Sequence, residues 1–197
     1  QPKTTRTFEI SLELSRSEYI AKSEAKELYR TGKFLEAAEI VEQLLRENPA
    51  LTGNPGIIGF LMHTYNKLRN TTKTLEYAEK LIGIKDDDMK TWAIAAAAAQ
   101  RMGDQEKALK YAENGLGFEM DNKVFLGVAA VAALKLRQFR KALVYAEALL
   151  ETSPDAPNLG IAMFAAEGLG LNEKALKYAR RLLSKNPNEK RALEIIQ

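Results

Sequence analysis

Side chains suited to catalysis or metal binding are scarce in this sequence of 197 residues. His63 is the only histidine, and there is no cysteine. A catalytic base acts beside a nucleophile or an orienting group, and a metal site needs several ligands. No second histidine, cysteine or carboxylate lies one helical turn from His63. We therefore predict no catalytic residue, no metal site and no cofactor, and we interpret His63 as a residue that lines a groove or lies on the ordinary surface.

Two other patterns match ligand-binding motifs only in part. Asp86, Asp87 and Asp88 lack the alternating ligands, central glycine and closing glutamate of a calcium loop. They precede a predicted helix, where acidic residues favour the positive end of the helix dipole. The glycine-rich stretches 53–56 and 115–117 have no strand–turn–helix unit around them, so they fit no phosphate-binding loop. We interpret the acids as helix caps and the glycines as turns and helix ends.

The composition is that of a globular protein, with 46% hydrophobic and 28% charged residues. The net charge of +3 is scattered along the chain, so we predict no nucleic-acid partner. No stretch reaches the roughly 18 apolar residues that a membrane helix needs, and the start lacks a signal-peptide pattern. Because the sequence begins at Gln1 rather than Met, we expect that an upstream segment is missing, and cleavage by a signal peptidase is one of the explanations. That expectation favours an exported or periplasmic location over a cytoplasmic one.

The main feature of the sequence is an internal repeat. Four segments of the form Lys-x-Leu-x-Tyr-Ala-Glu/Arg carry tyrosines that are 34, 34 and 33 residues apart. An earlier copy has Ile40 in place of the tyrosine. The tyrosines are Tyr77, Tyr111, Tyr145 and Tyr178. Such a period indicates an array of identical supersecondary units.

Each unit is predicted to be a helical hairpin. Apolar residues recur every three or four positions over two stretches, which a short polar turn separates. Gly32, Gly103 and Gly170 suit the left-handed end of a first helix, and prolines 49, 154 and 187 follow the second helices. A single hairpin cannot bury its apolar face, so the hairpins must stack on their neighbours. Trp92 and the small residues 95–99 are interpreted as core.

These residues resemble the tetratricopeptide repeat (TPR) family, whose unit has 34 residues. Repeats counted from residues 18, 55, 89, 123 and 156 place small or apolar residues at position eight in every copy. Position twenty is Ala in four copies and Thr74 in one, and position thirty-two is Pro in three copies, with Asp86 and Met120 departing. The resemblance implies a right-handed all-α solenoid of about five repeats and a binding rather than an enzymatic function.

Two departures from the family pattern affect the second helices. Small residues such as Ala78 stand where the family has an aromatic residue, and large residues such as Leu81 stand at the neighbouring small site. We interpret this as a volume-conserving exchange in the core. Gly115 and Gly117 fall near the end of one second helix, where glycine disfavours helix by about 0.5–1 kcal/mol. We expect that end to be loose or bent.

In this family, positions two, five, nine and twelve of each first helix line a concave groove. Applied here, the resemblance predicts a groove that changes from basic and aromatic to apolar, and therefore a partner segment with acidic or polar residues and an apolar anchor, bound extended or as an amphipathic helix. The predicted partner-binding residues are Tyr19, Lys22, Lys26, Tyr29, His63, Asn66, Lys90, Gln100, Val124, Val131, Leu134 and Phe164.

The family's clamp for chaperone C-termini is not predicted here. Lys22 and Lys90 match its residue types, but Lys26, Phe60 and Ile94 do not. A basic column at position thirteen is explained by the negative end of each first helix, although these cations could also fringe the groove. The column consists of Arg30, Lys67, Arg101 and Lys135.

The predicted organisation has an N-terminal extension, residues 1–17, with alternating apolar residues between Thr5 and Leu14 that favour a strand or a lead-in. The extension could pair with a second copy in a homodimer, dock in a groove or continue as helix. Residues 188–197 are predicted to form a capping helix. This helix, or the N-terminal extension of a second copy, is an alternative occupant of the apolar end of the groove. The repeats are predicted at 18–51, 55–88, 89–122, 123–155 and 156–187.

We therefore expect an interaction scaffold that binds a protein or peptide in its groove. Two alternatives stay open at this stage. The chain could be a subunit of an envelope assembly or secretion machine, or a regulatory domain of a larger enzyme complex. The sequence names neither the partner nor the pathway.

Overall fold

A computed structural model describes residues 18–197, and all its regular structure in that range is helical. The predicted strand between Thr5 and Leu14 lies outside the described residues. The chain divides into two compact units, Gln1–Asp87 and Asp88–Gln197.

The described part of the first unit, residues 18–87, contains two helical hairpins. Its helices are α1 (residues 18–30), α2 (Phe34–Glu47), α3 (Pro55–Lys67) and α4 (Thr71–Ile84), and a short 3₁₀ helix (Pro49–Gly53) precedes α3. The α3 helix packs against α2 and against α4. The order of elements confirms the repeated helical hairpin.

The second unit contains three hairpins and a final helix. Its helices are α5 (Met89–Met102), α6 (Gln105–Leu116), α7 (Lys123–Lys135), α8 (Phe139–Thr152), α9 (Ala156–Gly168), α10 (Asn172–Leu183) and α11 (Lys190–Ile196). Each hairpin packs on the next, α5, α7 and α9 lie side by side, and α11 packs on α10. From residue 18 onward, each predicted repeat holds one hairpin and the predicted cap holds α11; the boundaries themselves stay a proposal.

Polar side chains and left-handed residues fix the ends of the helices. Asp88 caps α5 by accepting a hydrogen bond from the Lys90 backbone N–H, which confirms its interpretation as a cap. Gly32, Gly103 and Gly170 all have positive φ. The two other hairpins use Arg69 and Arg137 at φ 56° and 57°, which no feature of the sequence predicted. A side chain in this conformation costs roughly 1–2 kcal/mol.

The core repeats with the hairpins. Residues at position eight and at position twenty are buried in all five hairpins. Trp92 is also buried, as are four of the five alanines at 95–99. The buried residues at these two positions are Ala25, Met62, Ala96, Ala130, Met163, Ala37, Thr74, Ala108, Ala142 and Ala175. The alanines among them let neighbouring helices approach closely, and Met62 and Met163 fill the wider gaps.

Gly115 lies in a continuous helix and is buried against the next hairpin. The α6 helix extends through Gly115 and ends at Leu116, with Gly117 as its C-cap, so Gly115 does not interrupt the helix. The expected looseness of this helix end stays a prediction. A Cβ atom at Gly115 would lie 2.2 Å from ring carbons of Phe125. The missing side chain therefore makes room for an aromatic ring of α7.

A repeated cluster joins the second helices of consecutive hairpins. A Tyr hydroxyl and a Lys ammonium group donate to the same oxygen of a Glu in the preceding hairpin. Glu113 accepts from Lys141 and Tyr145, and Glu147 accepts from Lys174 and Tyr178. This Glu–Lys–Tyr cluster gives Tyr145 and Tyr178, two tyrosines of the sequence repeat, a partner in the preceding hairpin.

In the first unit the same cluster forms around Glu42. Its Oε1 accepts hydrogen bonds from Lys73 Nζ at 2.7 Å, Tyr65 Oη at 2.7 Å and Tyr77 Oη at 3.0 Å. The Tyr65 and Tyr77 rings stack with centroids 5.7 Å apart. The carboxylate of Glu42 therefore accepts three hydrogen bonds from the hairpin of α3 and α4. These bonds hold that hairpin against α2.

The clusters make tyrosine ionisation unfavourable in the folded chain. Burial raises the pKa of Tyr178 to about 12, and the hydrogen bond and negative charge of Glu147 contribute to the same shift. Since the ordinary value is 10.0, the folded state holds this proton more tightly than the unfolded state. The resulting stability is complete below pH 10 and is lost as the pH rises towards 12.

We therefore expect the free energy of unfolding to fall between these pH values, and to fall less steeply in Tyr178→Phe. Urea denaturation at a series of alkaline pH values measures both slopes. Tyr19→Phe is the matched control, because Tyr19 is 74% exposed. Equal slopes in wild type and Tyr178→Phe would contradict the assignment.

Candidate functional site

The accessible side of the first helices follows the four predicted groove positions. On α7 the residues that reach solvent between its ends are Val124, Gly127, Val131 and Leu134, and the intervening residues are buried. The same spacing exposes Lys90, Gln100 and Phe164 on α5 and α9, and Tyr19, Lys22, Lys26, Tyr29, His63 and Asn66 on α1 and α3, at least in part. Each unit therefore presents its predicted residues on accessible helix stripes.

In the first unit, two predicted lysines line one pocket, which we call the basic socket. It has a volume of about 250 Å³. Its lining consists of Lys22, Ala25, Lys26, Val41, Asn54, Gly56, Ile57 and Phe60. Lys22 forms an ion pair with Glu18, whereas the Lys26 side chain is exposed. The socket thus combines an apolar floor with a cationic rim.

An aromatic cluster borders the basic socket. Tyr29 packs edge-on against Phe34, with ring centroids 5.1 Å apart, and lies 5.5 Å from the Phe60 ring. Phe60 lines the socket itself, although in the sequence it counted only against the chaperone clamp. Tyr19, His63 and Asn66 do not line the socket.

In the second unit, the accessible side of α7 and α9 is apolar, and we call it the apolar face. Val124 is 56% exposed and Phe164 is 40% exposed. Leu134 and Phe164 line one open pocket of about 490 Å³ with Phe139, Glu167 and Gly168. Glu167 is bound by Arg191 of α11. Phe139 was not predicted from the sequence, because it begins a second helix.

Position five of the first helix is glycine in three hairpins, although the surrounding packing does not require it. A Cβ atom at Gly127 would meet no atom within 4 Å, and at Gly59 and Gly160 the nearest atom would lie 3.6 and 4.0 Å away. Gly115 is different, because its Cβ would collide with a buried ring. Glycine destabilises a helix interior, so packing within the chain does not explain why position five lacks a side chain in these hairpins.

The described part of the chain offers little for other chemistry. His63 is exposed on α3. Among residues 18–197, no three His, Cys, Asp or Glu side chains are grouped so that they could hold a metal ion. None of the helices in that range is both long and apolar enough to cross a bilayer.

The hairpin repeat is that of solved TPR proteins. The protein YrrB, described as a TPR protein with an unusual peptide-binding site, superimposes with a TM-score of 0.75 at 14% identity, over 95% of this chain and 96% of YrrB. The MamA protein gives 0.72 at 16% identity, over 90% and 96% of the two chains. A tetratricopeptide repeat protein from Parabacteroides merdae gives 0.67 at 15% identity, over 91% and 71%.

These likenesses show the fold, which is the all-α solenoid fold of helical hairpins found in TPR proteins. No protein-family model matches the sequence, and no curated protein is significantly similar to it.

Proposed function

We propose that this protein is a scaffold that binds segments of partner proteins on the exposed sides of its first helices. The observation that carries the proposal is that in each unit two of the predicted residues line a pocket: Lys22 and Lys26 line the basic socket, and Leu134 and Phe164 line the open pocket on the apolar face. Exposed apolar surface with a polar rim is typical of protein interaction sites. No catalytic role is proposed for either pocket.

The two surfaces favour different partner chemistry. The basic socket suits an apolar side chain next to a carboxylate, because Ile57 and Phe60 form its floor and Lys26 stands at its rim. The apolar face suits an aliphatic or aromatic anchor beside Phe164. The glycines at position five would let a bound segment approach the helix backbone closely. The unusual peptide-binding site described for YrrB is in keeping with this proposal but does not locate the site here.

Single substitutions in a peptide-binding assay test the two surfaces separately. We expect peptides selected from a displayed library to bind the full chain, and each to depend on one surface. For peptides that use the basic socket, Lys26→Ala should weaken binding about tenfold, with a loss that shrinks at high salt. For peptides that use the apolar face, Phe164→Ala should weaken binding about tenfold at any salt concentration.

The matched control for the lysine is Lys110→Ala, because Lys110 is exposed on a second helix. Fluorescence anisotropy with labelled peptides measures the affinities, and circular dichroism checks that each variant is folded. Binding that is unchanged in both Lys26→Ala and Phe164→Ala would refute the proposal. A chain that elutes as a dimer in light scattering would instead point to a second copy as the partner.

A further inference from the structure

The apolar face offers almost no hydrogen-bonding groups to a partner. The groove positions of α7 and α9 are occupied by Val124, Gly127, Val131, Leu134, Pro157, Gly160, Phe164 and Glu167. Glu167 is the only polar side chain among these eight, and it already accepts from Arg191. The backbone groups of the two helices are occupied by their own helical hydrogen bonds.

This shortage decides which backbone conformation the face can accept. An extended segment pressed onto it would lose water from its N–H and C=O groups on the covered side and gain no partner there. A helix satisfies its backbone internally and can present a purely apolar stripe. The first unit differs, since Tyr19, Lys26 and Asn66 can bond an extended backbone. The apolar face therefore selects a helix.

The charges around the apolar face define the flanks of that helix. Basic residues stand at and just after the C-terminal end of α7, namely Lys135 and Arg137, whereas the acidic Glu167 that lines the pocket is already paired with Arg191. The Arg137 guanidinium lies 5.6 Å from the centre of the Phe139 ring, which lines the pocket beside Phe164. Acidic side chains beside the apolar stripe of a bound helix would complement this rim.

We propose that the apolar face of the second unit binds an amphipathic helix of a partner protein, with its apolar stripe on Val124, Val131, Leu134 and Phe164 and its acidic flank on the basic rim. This inference rests on the proposed scaffold function and adds the conformation and charge of the ligand. Because Gly127 and Gly160 have no side chain, the bound helix can approach the backbones of α7 and α9 closely.

A displayed library of random peptides of about 20 residues, long enough for a helix of roughly 30 Å, tests the proposal on the full chain. We expect the enriched peptides to carry apolar residues three and four apart with acids beside them, and to become helical on binding. Val124→Asp should weaken their binding at least about tenfold. Val144→Asp is the matched control, because Val144 is 57% exposed in the same unit but lies on α8, and it should leave binding unchanged.

Four results would overturn the proposal. Enriched peptides with apolar residues at every second position would show an extended ligand and leave the scaffold function intact. Helical peptides whose binding responds to Lys26→Ala but not to Val124→Asp would place the site elsewhere. A wild-type dimer that Val124→Asp converts to a monomer would show that a second copy covers the face. No enrichment at all would refute the scaffold function as well.

Discussion

Replacing Gly115 with alanine lowers the free energy of unfolding by about 2–3 kcal/mol, whereas the same substitution at Gly127 raises it by about 0.5–1 kcal/mol. A methyl group at Gly115 would lie 2.2 Å from the Phe125 ring, which is 1% exposed and cannot move aside without disturbing the core. At Gly127 the methyl group meets no atom within 4 Å, so only the gain in helix propensity remains. Urea denaturation of the two variants measures both changes.

A second substitution tests whether the collision is the cause. In a Phe125→Leu background, Gly115→Ala should cost less, because the smaller side chain frees the space above the glycine. The coupling free energy between the two substitutions is the quantity to compare. If Gly115→Ala stabilised the chain as Gly127→Ala does, the close packing of α6 on α7 would be incorrect.

This glycine shows why the sequence predicted the fold but not all of its packing. The 34-residue period and the three- and four-residue spacing of apolar residues sufficed to predict the hairpins, because stacking is the only way for them to bury their apolar sides. At position twenty-seven, where other repeats have Leu44 or Leu149, the third has Gly115. The Phe125 ring of the next hairpin fills the space that a leucine side chain occupies in the other repeats. Because this exchange involves residues of two different helices, no local sequence pattern predicts it.

The turns were also predictable only in part. Glycine favours the left-handed conformation because it has no Cβ atom, so Gly32, Gly103 and Gly170 could be assigned to it from the sequence. Arg69 and Arg137 adopt the same conformation, although arginine has no preference that would predict it from the sequence. The hairpin geometry imposes that conformation on whichever residue occupies the position, at an energetic cost that the rest of the hairpin offsets.

The candidate site could be predicted only through the family resemblance, which supplied the accessible positions on each first helix. The residues that shape the two pockets were harder to predict. Phe60 lies outside the groove positions, and Phe139 belongs to a second helix. Whether an aromatic ring from such a position reaches the accessible side depends on packing between helices. Their role as ligand-binding residues stays a proposal.

Replacing Glu42 with alanine should lower the free energy of unfolding by about 2–3 kcal/mol at neutral pH. The substitution removes the acceptor of three donors, Lys73, Tyr65 and Tyr77, and leaves the two hydroxyls without this acceptor. Glu39→Ala is the matched control on the same helix, because Glu39 is exposed, and it should change stability by less than about 0.5 kcal/mol. A loss of equal size in the two variants would refute a special role for Glu42.

The pH dependence of stability separates the charge of Glu42 from its shape. Burial raises the pKa of this carboxyl, but the hydrogen bonds from Lys73, Tyr65 and Tyr77 outweigh burial and hold the pKa below its ordinary value of 4.5. A lowered pKa means that the stabilisation is complete above pH 4.5 and is lost as the pH falls through the folded-state value. Glu42→Gln keeps the size and one acceptor but cannot ionise, so the stability of wild type and Glu42→Gln should converge in acid. If the difference measured at neutral pH persisted at about pH 3, the ionised carboxylate would not be its source.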